Sequence, residues 1–212
     1  MSIFEDISEA VYDGDEDVVE ELVRDGLDDG LSAQDILDRG LLDGMERLGE
    51  GFKNNEVFVP ELLIAARALN RGTEILKEKL TEEGVEAVGK VVIATVQGDM
   101  HDIGKNLVKL MLEGAGFEIV DLGVDVSPSA IVKAVEEHSP DIVALSSLLT
   151  TTMNQQGAVV EALKSAGLRD KVAIMVGGAP VTEAFCEQIG ADAYSPDASS
   201  AAERAKMFIP RT

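Results

Sequence analysis

The chain has 212 residues, 45% of them hydrophobic and 27% charged, enough for one large or two small globular domains. With 40 acidic against 18 basic side chains the formal net charge is -22, which argues against sequence-independent binding to nucleic acid or to an anionic membrane surface, since both depend on cationic side chains. The single cysteine, Cys186, excludes an internal disulfide and a multi-thiolate zinc site, and no apolar run is long enough to span a membrane. The start, Ile3-Phe4-Glu5-Asp6, is acidic where a signal peptide is basic, so the expected location is the cytoplasm.

From Ile3 to about Leu80 the apolar residues fall at helical spacing. Ile3, Phe4, Ile7 and Val11 form a first stripe, and Val18, Val19, Leu22 and Val23 a second, closed by Gly26. Ser32 suits the cap of a third helix carrying Leu37, Leu41, Leu42, Met45 and Leu48, with Gly49 and Gly51 expected to end it. Pro60 suits the first turn of a fourth, with Leu62, Leu63, Ala66, Leu69, Leu76 and Leu80. Residues 1–88 are therefore expected to form a four-helix bundle. The connection before Pro60 carries Phe52, Val57, Phe58 and Val59, more apolar surface than a loop usually exposes.

Thr81 to Gly89 reads as a polar linker, after which the period changes. Short apolar runs at Val91–Val96, Phe117–Leu122, Ile142–Ser146, Val172–Val176 and Ala191–Tyr194 alternate with helical stripes near Ile103–Glu113, Pro128–Glu137, Thr152–Ala166, Thr182–Ile189 and Ser199–Phe208. Five strands alternating with five helices predict an α/β domain over 89–212, a doubly wound parallel sheet with right-handed crossovers. The strand ends are polar or small, and in such sheets the crevice outside the carboxyl ends is where ligands bind. No Gly-x-Gly-x-x-Gly fingerprint or phosphate-binding loop follows the first strand, which argues against nicotinamide and nucleoside triphosphate chemistry. A phosphorelay receiver would need a phosphorylatable aspartate after the third strand, where Ser146 stands.

Chemistry concentrates in Gly98-Asp99-Met100-His101-Asp102-Ile103-Gly104, after the first strand. The imidazole of His101 can hold a transition metal. Asp99, two residues earlier, can reach its other ring nitrogen and fix the tautomer. The plain alternative is a loop histidine making one hydrogen bond. Ser146 to Thr152 packs hydroxyls where the third strand turns into a helix, available to Asp99 or to a ligand; helix capping is the simpler role. Gly177-Gly178, after the fourth strand, permits a close backbone approach and also occurs in ordinary turns.

Taken together, Asp99-x-His101-x-x-Gly104, Ser146-x-Leu148 and Gly177-Gly178 resemble the signature of the cobalamin-binding domain, and the helical half resembles the cap of cobalamin-dependent methionine synthase and of corrinoid proteins of methyltransferase systems. The resemblance implies a cobalamin or related corrinoid, methylcobalamin in its methylated state, with His101 as cobalt ligand and Asp99 and Thr152 as the proton relay behind it. It implies contacts to the cofactor from Gly98, Asp102, Ile103 and Gly104, a slot for the nucleotide tail lined by Ser146, Leu148, Thr150, Gly177 and Gly178, with Tyr194 and Ser195 as further candidates, and an apolar lid of Phe52, Val59 and Leu62. Thr152 stands where methionine synthase has serine, and Val59 where the lid has leucine.

The implied function is that of a methyl carrier, not catalytic alone. A substrate-specific methyltransferase would load it, a second methyltransferase acting on a thiol or pterin would unload it, and a reductive activase would rescue it. Two rivals are a cobalamin-sensing regulator and the small subunit of an adenosylcobalamin-dependent isomerase. The first expects a DNA-binding segment and a tryptophan, and this chain has no tryptophan. The second receives its upper face from a barrel and has no use for a helical cap.

Overall fold

A computed structural model describes residues 2–209. Two compact units emerge, Met1–Ala87 with Gly114–Gly116, and Val88–Glu113 with Phe117–Thr212.

The first unit is all helix. Ser2 caps α1 (Ile3–Asp13) in a reciprocal box: its hydroxyl accepts from the Glu5 amide at 3.4 Å, while Glu5 accepts from the Ser2 amide at 2.8 Å. Gly14, at φ 73°, ends the helix in the left-handed conformation. Asp15 caps α2 (Glu16–Asp28). Ser32 caps α3 (Ala33–Ile36), which runs without a break through a π-helical segment, Leu37–Leu42, into α4 (Asp43–Lys53). Helix α5 (Val59–Glu83) starts with Pro60 in its first turn, and Glu61 reaches back to the Phe58 amide at 2.6 Å.

Three expected boundaries are corrected. Gly26, Gly49 and Gly51 lie inside helices, buried, instead of ending them. Gly26 faces Ile36 and Gly51 faces Val57, with added Cβ positions 3.1 Å and 2.8 Å from those side chains. Close packing explains both glycines, and Phe52 is consequently helical instead of part of a loop. The linker is shorter than expected, because α5 continues to Glu83 before Gly84 closes it at φ 69°.

The second unit is a five-stranded parallel sheet, order β2-β1-β3-β4-β5, from β1 (Lys90–Thr95), β2 (Glu118–Asp121), β3 (Ile142–Ser146), β4 (Ala173–Gly177) and β5 (Ala193–Tyr194). This is the flavodoxin-like variant of the doubly wound sheet. Alternate strand residues face opposite sides. Ala94, Val96, Val143, Leu145, Ile174 and Val176 share a core with Ile131 and Val135 of α7 (Pro128–His138), Val159, Val160 and Leu163 of α8 (Asn154–Ser165), and Phe185 and Cys186 of α9 (Glu183–Ile189). Val91, Ile93, Ile142, Ala144 and Met175, on the intervening positions, are buried as well. Helices α6 (Ile103–Glu113) and α10 (Ala198–Phe208) pack on each other and against strands of the sheet. Register aligns Thr95 with Ser146 and Ser146 with Gly177, so three strands end together.

Candidate functional site

That common edge carries the site. Strand β1 delivers the loop 96–102, and the Thr95 hydroxyl ties it down by donating to the His101 carbonyl at 3.0 Å. Asp99 is fully buried beneath it. Its Oδ1 accepts from the His101 amide at 3.1 Å and pairs with His101 Nδ1 at 2.7 Å. Its Oδ2 accepts from Thr152 Oγ1 at 2.7 Å and from the Leu148 and Leu149 amides at 2.8 and 3.3 Å, and the Ser147 hydroxyl oxygen lies 3.4 Å away.

Burial pushes the Asp99 carboxyl up, but the hydrogen bonds from Thr152, from the His101 amide and ring and from the Leu148 amide outweigh it and hold the group well below the ordinary carboxylate range. Asp99 is therefore ionised at neutral pH and can only accept. The ring must then carry its proton on Nδ1, which leaves the Nε2 lone pair free for a ligand. Nε2 makes no hydrogen bond among the described residues, and the His101 side chain is 51% exposed.

Behind Asp99 the hydroxyls are ordered by their single protons. Thr152 donates over its shortest distance, to Asp99, and so accepts from Ser147 Oγ at 2.9 Å. The chain Ser147–Thr152–Asp99–His101 is continuous. Ser147 is the member that sequence reasoning missed: a run of hydroxyls does not reveal which one turns inward. Ser146 is half-buried and Thr150 exposed, and neither bonds to Asp99.

The other expected residues take distinct places. Asp102, Ile103 and Gly104 are exposed, and a Cβ on Gly104 would meet nothing within 4 Å. Gly177 and Gly178 lie at the end of β4, and the close approach that Gly178 permits is to the Ser147 backbone, 1.8 Å from where its Cβ would stand. Tyr194 is half-buried. Phe52, Val59 and Leu62 belong to the helical unit, where Leu62 is fully buried, Phe52 and Val59 half-buried, and their neighbours Phe58 and Leu63 exposed.

Two features fit a large, flat, mostly apolar metal macrocycle with a polar tail. Met100, Ile103, Leu148 and Leu149, all in or beside the loops that carry the site, are exposed by 67, 74, 44 and 40%, an apolar surround for a single outward nitrogen with a free lone pair. The Ser195 hydroxyl, just beyond β5, is buried with no partner among the described residues. The arrangement is that of a corrinoid-binding sheet domain accompanied by an all-helical domain.

The comparisons with known proteins agree. The B12 binding domain family matches residues 89–205, and a second B12 binding domain family matches residues 3–77. A corrinoid protein of Desulfitobacterium hafniense is 38% identical over 99% of this chain and 98% of its own. The trimethylamine corrinoid protein of Methanosarcina barkeri is 41% identical over 95% and 94%. Among solved structures, the methanol:cobalamin methyltransferase complex of Methanosarcina barkeri contains a chain that matches with a TM-score of 0.88 at 31% identity, covering 98% of this chain and 79% of that one. A cobalamin-binding protein from Desulfitobacterium hafniense matches with a TM-score of 0.81 at 34% identity, covering 99% and 100%. The chain belongs to the corrinoid proteins, the methyl carriers of methyltransferase systems. No helix among the described residues is long and apolar enough to cross a membrane.

Proposed function

We propose that this chain carries methyl groups on a corrinoid whose cobalt is ligated by Nε2 of His101, between a methyltransferase specific for a small methyl donor of the methylamine or methanol class and a second methyltransferase acting on a thiol or pterin. The donor class follows the names of the relatives, several of which are trimethylamine and dimethylamine corrinoid proteins. The observation that carries the ligand assignment is the 2.7 Å contact between Nδ1 and a buried, ionised Asp99, which leaves one outward lone pair on a half-exposed ring.

When bound, the corrinoid supplies the metal centre that accepts and releases the methyl group. The protein's part is ligation and proton control. Asp99 holds the ring in one orientation and one tautomer, with Nε2 turned outward. His101 would hold the metal through Nε2, and the Asp99 carboxylate 2.7 Å from Nδ1 would stabilise positive charge on the ring. Thr152, backed by Ser147, keeps the carboxylate hydrogen-bonded from behind. Gly104, with open space around it, and the unpartnered Ser195 hydroxyl are where the nucleotide tail would be received. The donor methyltransferase, the acceptor methyltransferase and a reductive activase are the expected partners, and the acidic surface suits docking on basic protein faces.

The test has two arms. Bound methylcobalamin should show the spectrum of a cofactor whose own lower base is displaced by a histidine, and His101→Ala should abolish that signature; an unchanged spectrum sinks the ligand assignment. The reduced holoprotein, incubated with methylamines or methanol and the donor methyltransferase from the same genome, should become methylated at cobalt. Absence of methylation with every donor of this class would exclude the proposed donor.

A further inference from the structure

The chain holds a second carboxylate against the His101 loop. Asp125 lies between β2 and α7 with φ 54°, one of three non-glycine residues in the left-handed region among those described. Glycine occupies that conformation freely, and Gly123 two residues earlier does so at φ 83°. Aspartate enters it where its short side chain is hydrogen-bonded. Its Oδ1 accepts from the Gly98 amide at 2.7 Å, and its own amide donates to the Asp99 carbonyl at 3.0 Å. The two bonds run in opposite directions across one step of each chain, so residues 98–99 and 125 lock reciprocally. The lock is extended by Val126, which donates to Thr95 at 3.1 Å, and by the parallel bridge of Val96 with Val126.

Asp99 is thus held from two sides: its carboxylate by Thr152, Leu148 and Leu149 after β3, its peptide by Asp125 after β2. The loop backbone is also held by the Asp99 amide on the Val96 carbonyl at 3.1 Å and by the Thr95 hydroxyl on the His101 carbonyl. Asp125 holds the carbonyl of the Asp99–Met100 peptide, and His101, bonded through both its amide and its ring to Asp99 Oδ1, follows the setting of that peptide. We infer that Asp125 is a positioning residue for the metal-binding histidine, spending a strained backbone conformation to fix the peptide of Asp99 and so the direction of His101 Nε2.

This inference rests on the reading of His101 as the cobalt ligand, and the two fail separately. Three variants are compared: Asp125→Gly, Asp125→Asn and His101→Ala. Asp125→Gly relieves the strain and removes the acceptor; Asp125→Asn tolerates the same φ and keeps an acceptor oxygen. In the cobalamin-free protein, amide exchange at Gly98 should accelerate about tenfold or more in the Gly variant and stay close to wild type in the Asn variant, as expected for loss of one protecting hydrogen bond. After loading with methylcobalamin, the histidine-coordinated fraction should fall severalfold in Asp125→Gly while thermal stability changes little, and should be retained in Asp125→Asn. A Gly variant that loses Gly98 protection but keeps full histidine coordination overturns the inference, and does so without touching the ligand assignment as long as His101→Ala changes the spectrum. Should the Gly variant fail to fold, the Asn variant decides: normal folding with lost coordination would mean that the charge of Asp125, not its clamp, was responsible, and the inference would fall.

Discussion

The two units bury different things. In the helical unit Ser8 is the only fully buried polar side chain among the described residues, whereas Thr95, Asp99, Lys105, Ser147, Thr152, Gln156, Ser195 and Ser199 are buried in the sheet unit. Glycines differ in what they face, the tightest being Gly178 of the sheet unit, whose Cβ would stand 1.8 Å from the Ser147 carbonyl. In the helical unit a Cβ on Gly44 would stand 2.5 Å from the Ser8 carbonyl, on Gly40 2.8 Å from Ile7, and on Gly72 2.6 Å from Leu41, so these glycines are contact surface between helices. At the ligand edge of the sheet, Gly104 and Gly123 would bring a Cβ against nothing within 4 Å. The helical unit is mainly a packing problem solved with apolar side chains, and the sheet unit buries a carboxylate, an ammonium and several hydroxyls as well.

That contrast can be broken first at Lys105. Its ammonium, 2% exposed, uses all three protons on Asp121 Oδ1 and Oδ2 at 2.7 Å and Asn106 Oδ1 at 2.8 Å. Lys105→Met should cost about 3 kcal/mol, the low end for breaking a buried pair, because Asp121 keeps Lys109 at 3.5 Å. The double variant Lys105→Met with Asp121→Leu should recover most of it in urea titrations, and failure to recover would show a role beyond pairing. For Asp121, burial raises the carboxyl's pKa but Lys105 and the Gly123 amide lower it further, so the net shift is downward. Its contribution is therefore complete above the ordinary value of 3.8 and is lost as pH falls through the depressed one, and the wild type should lose more stability than the double variant over that acid range.

In the helical unit, Gly44→Ala should cost about 2 kcal/mol: overpacking against the Ser8 carbonyl and Val11 outweighs the gain in helix propensity. Denaturation followed by circular dichroism would measure it. A neutral result would mean that α1 and α4 can part cheaply, and the tight-packing half of the comparison would fail.

Thr152→Val tests the polar half at a smaller scale. It removes one donor to a carboxylate that keeps two backbone amides and His101, so a loss of about 1 kcal/mol in the cobalamin-free protein is expected, with a larger change in the pH dependence of histidine coordination after loading. Serine at the same position should restore both.

How much of this was legible in the sequence follows the same line. The alternation of apolar runs with helical stripes predicts the five strands, the helices between them and a parallel sheet, because period and length are local properties. Asp99 and His101 could be paired on paper, since two residues in an extended loop face the same way. Helix ends marked by Gly26, Gly49 and Gly51 could not be read correctly, because a glycine that ends a helix and one that admits a neighbouring side chain look alike until Ile36 and Val57 are placed. Lys105 reads as one more solvent-facing lysine of an amphipathic helix, and its partner is sixteen residues away at the end of another strand. Ser147 and Asp125 were invisible for the same reason: their partners are assembled by register and loop conformation, not by spacing.

Gly104→Ala has the smallest effect on stability and speaks most directly to what the open edge is for. The residue sits in the second position of α6, exposed, with unobstructed space for a methyl group, and alanine is the better helix former. Folding should change by no more than about 0.5 kcal/mol, in the favourable direction. If the space beside Gly104 only belongs to solvent, cobalamin affinity should be equally indifferent. If a tail passes there, the methyl group collides with it, and affinity should fall about tenfold, roughly 1.4 kcal/mol, while the folded protein is as stable as before. A variant that is both stable and unimpaired in binding would make Gly104 the counterpart of the exposed glycines elsewhere in the chain, and the division between packing glycines and ligand-facing ones would have to be drawn without it.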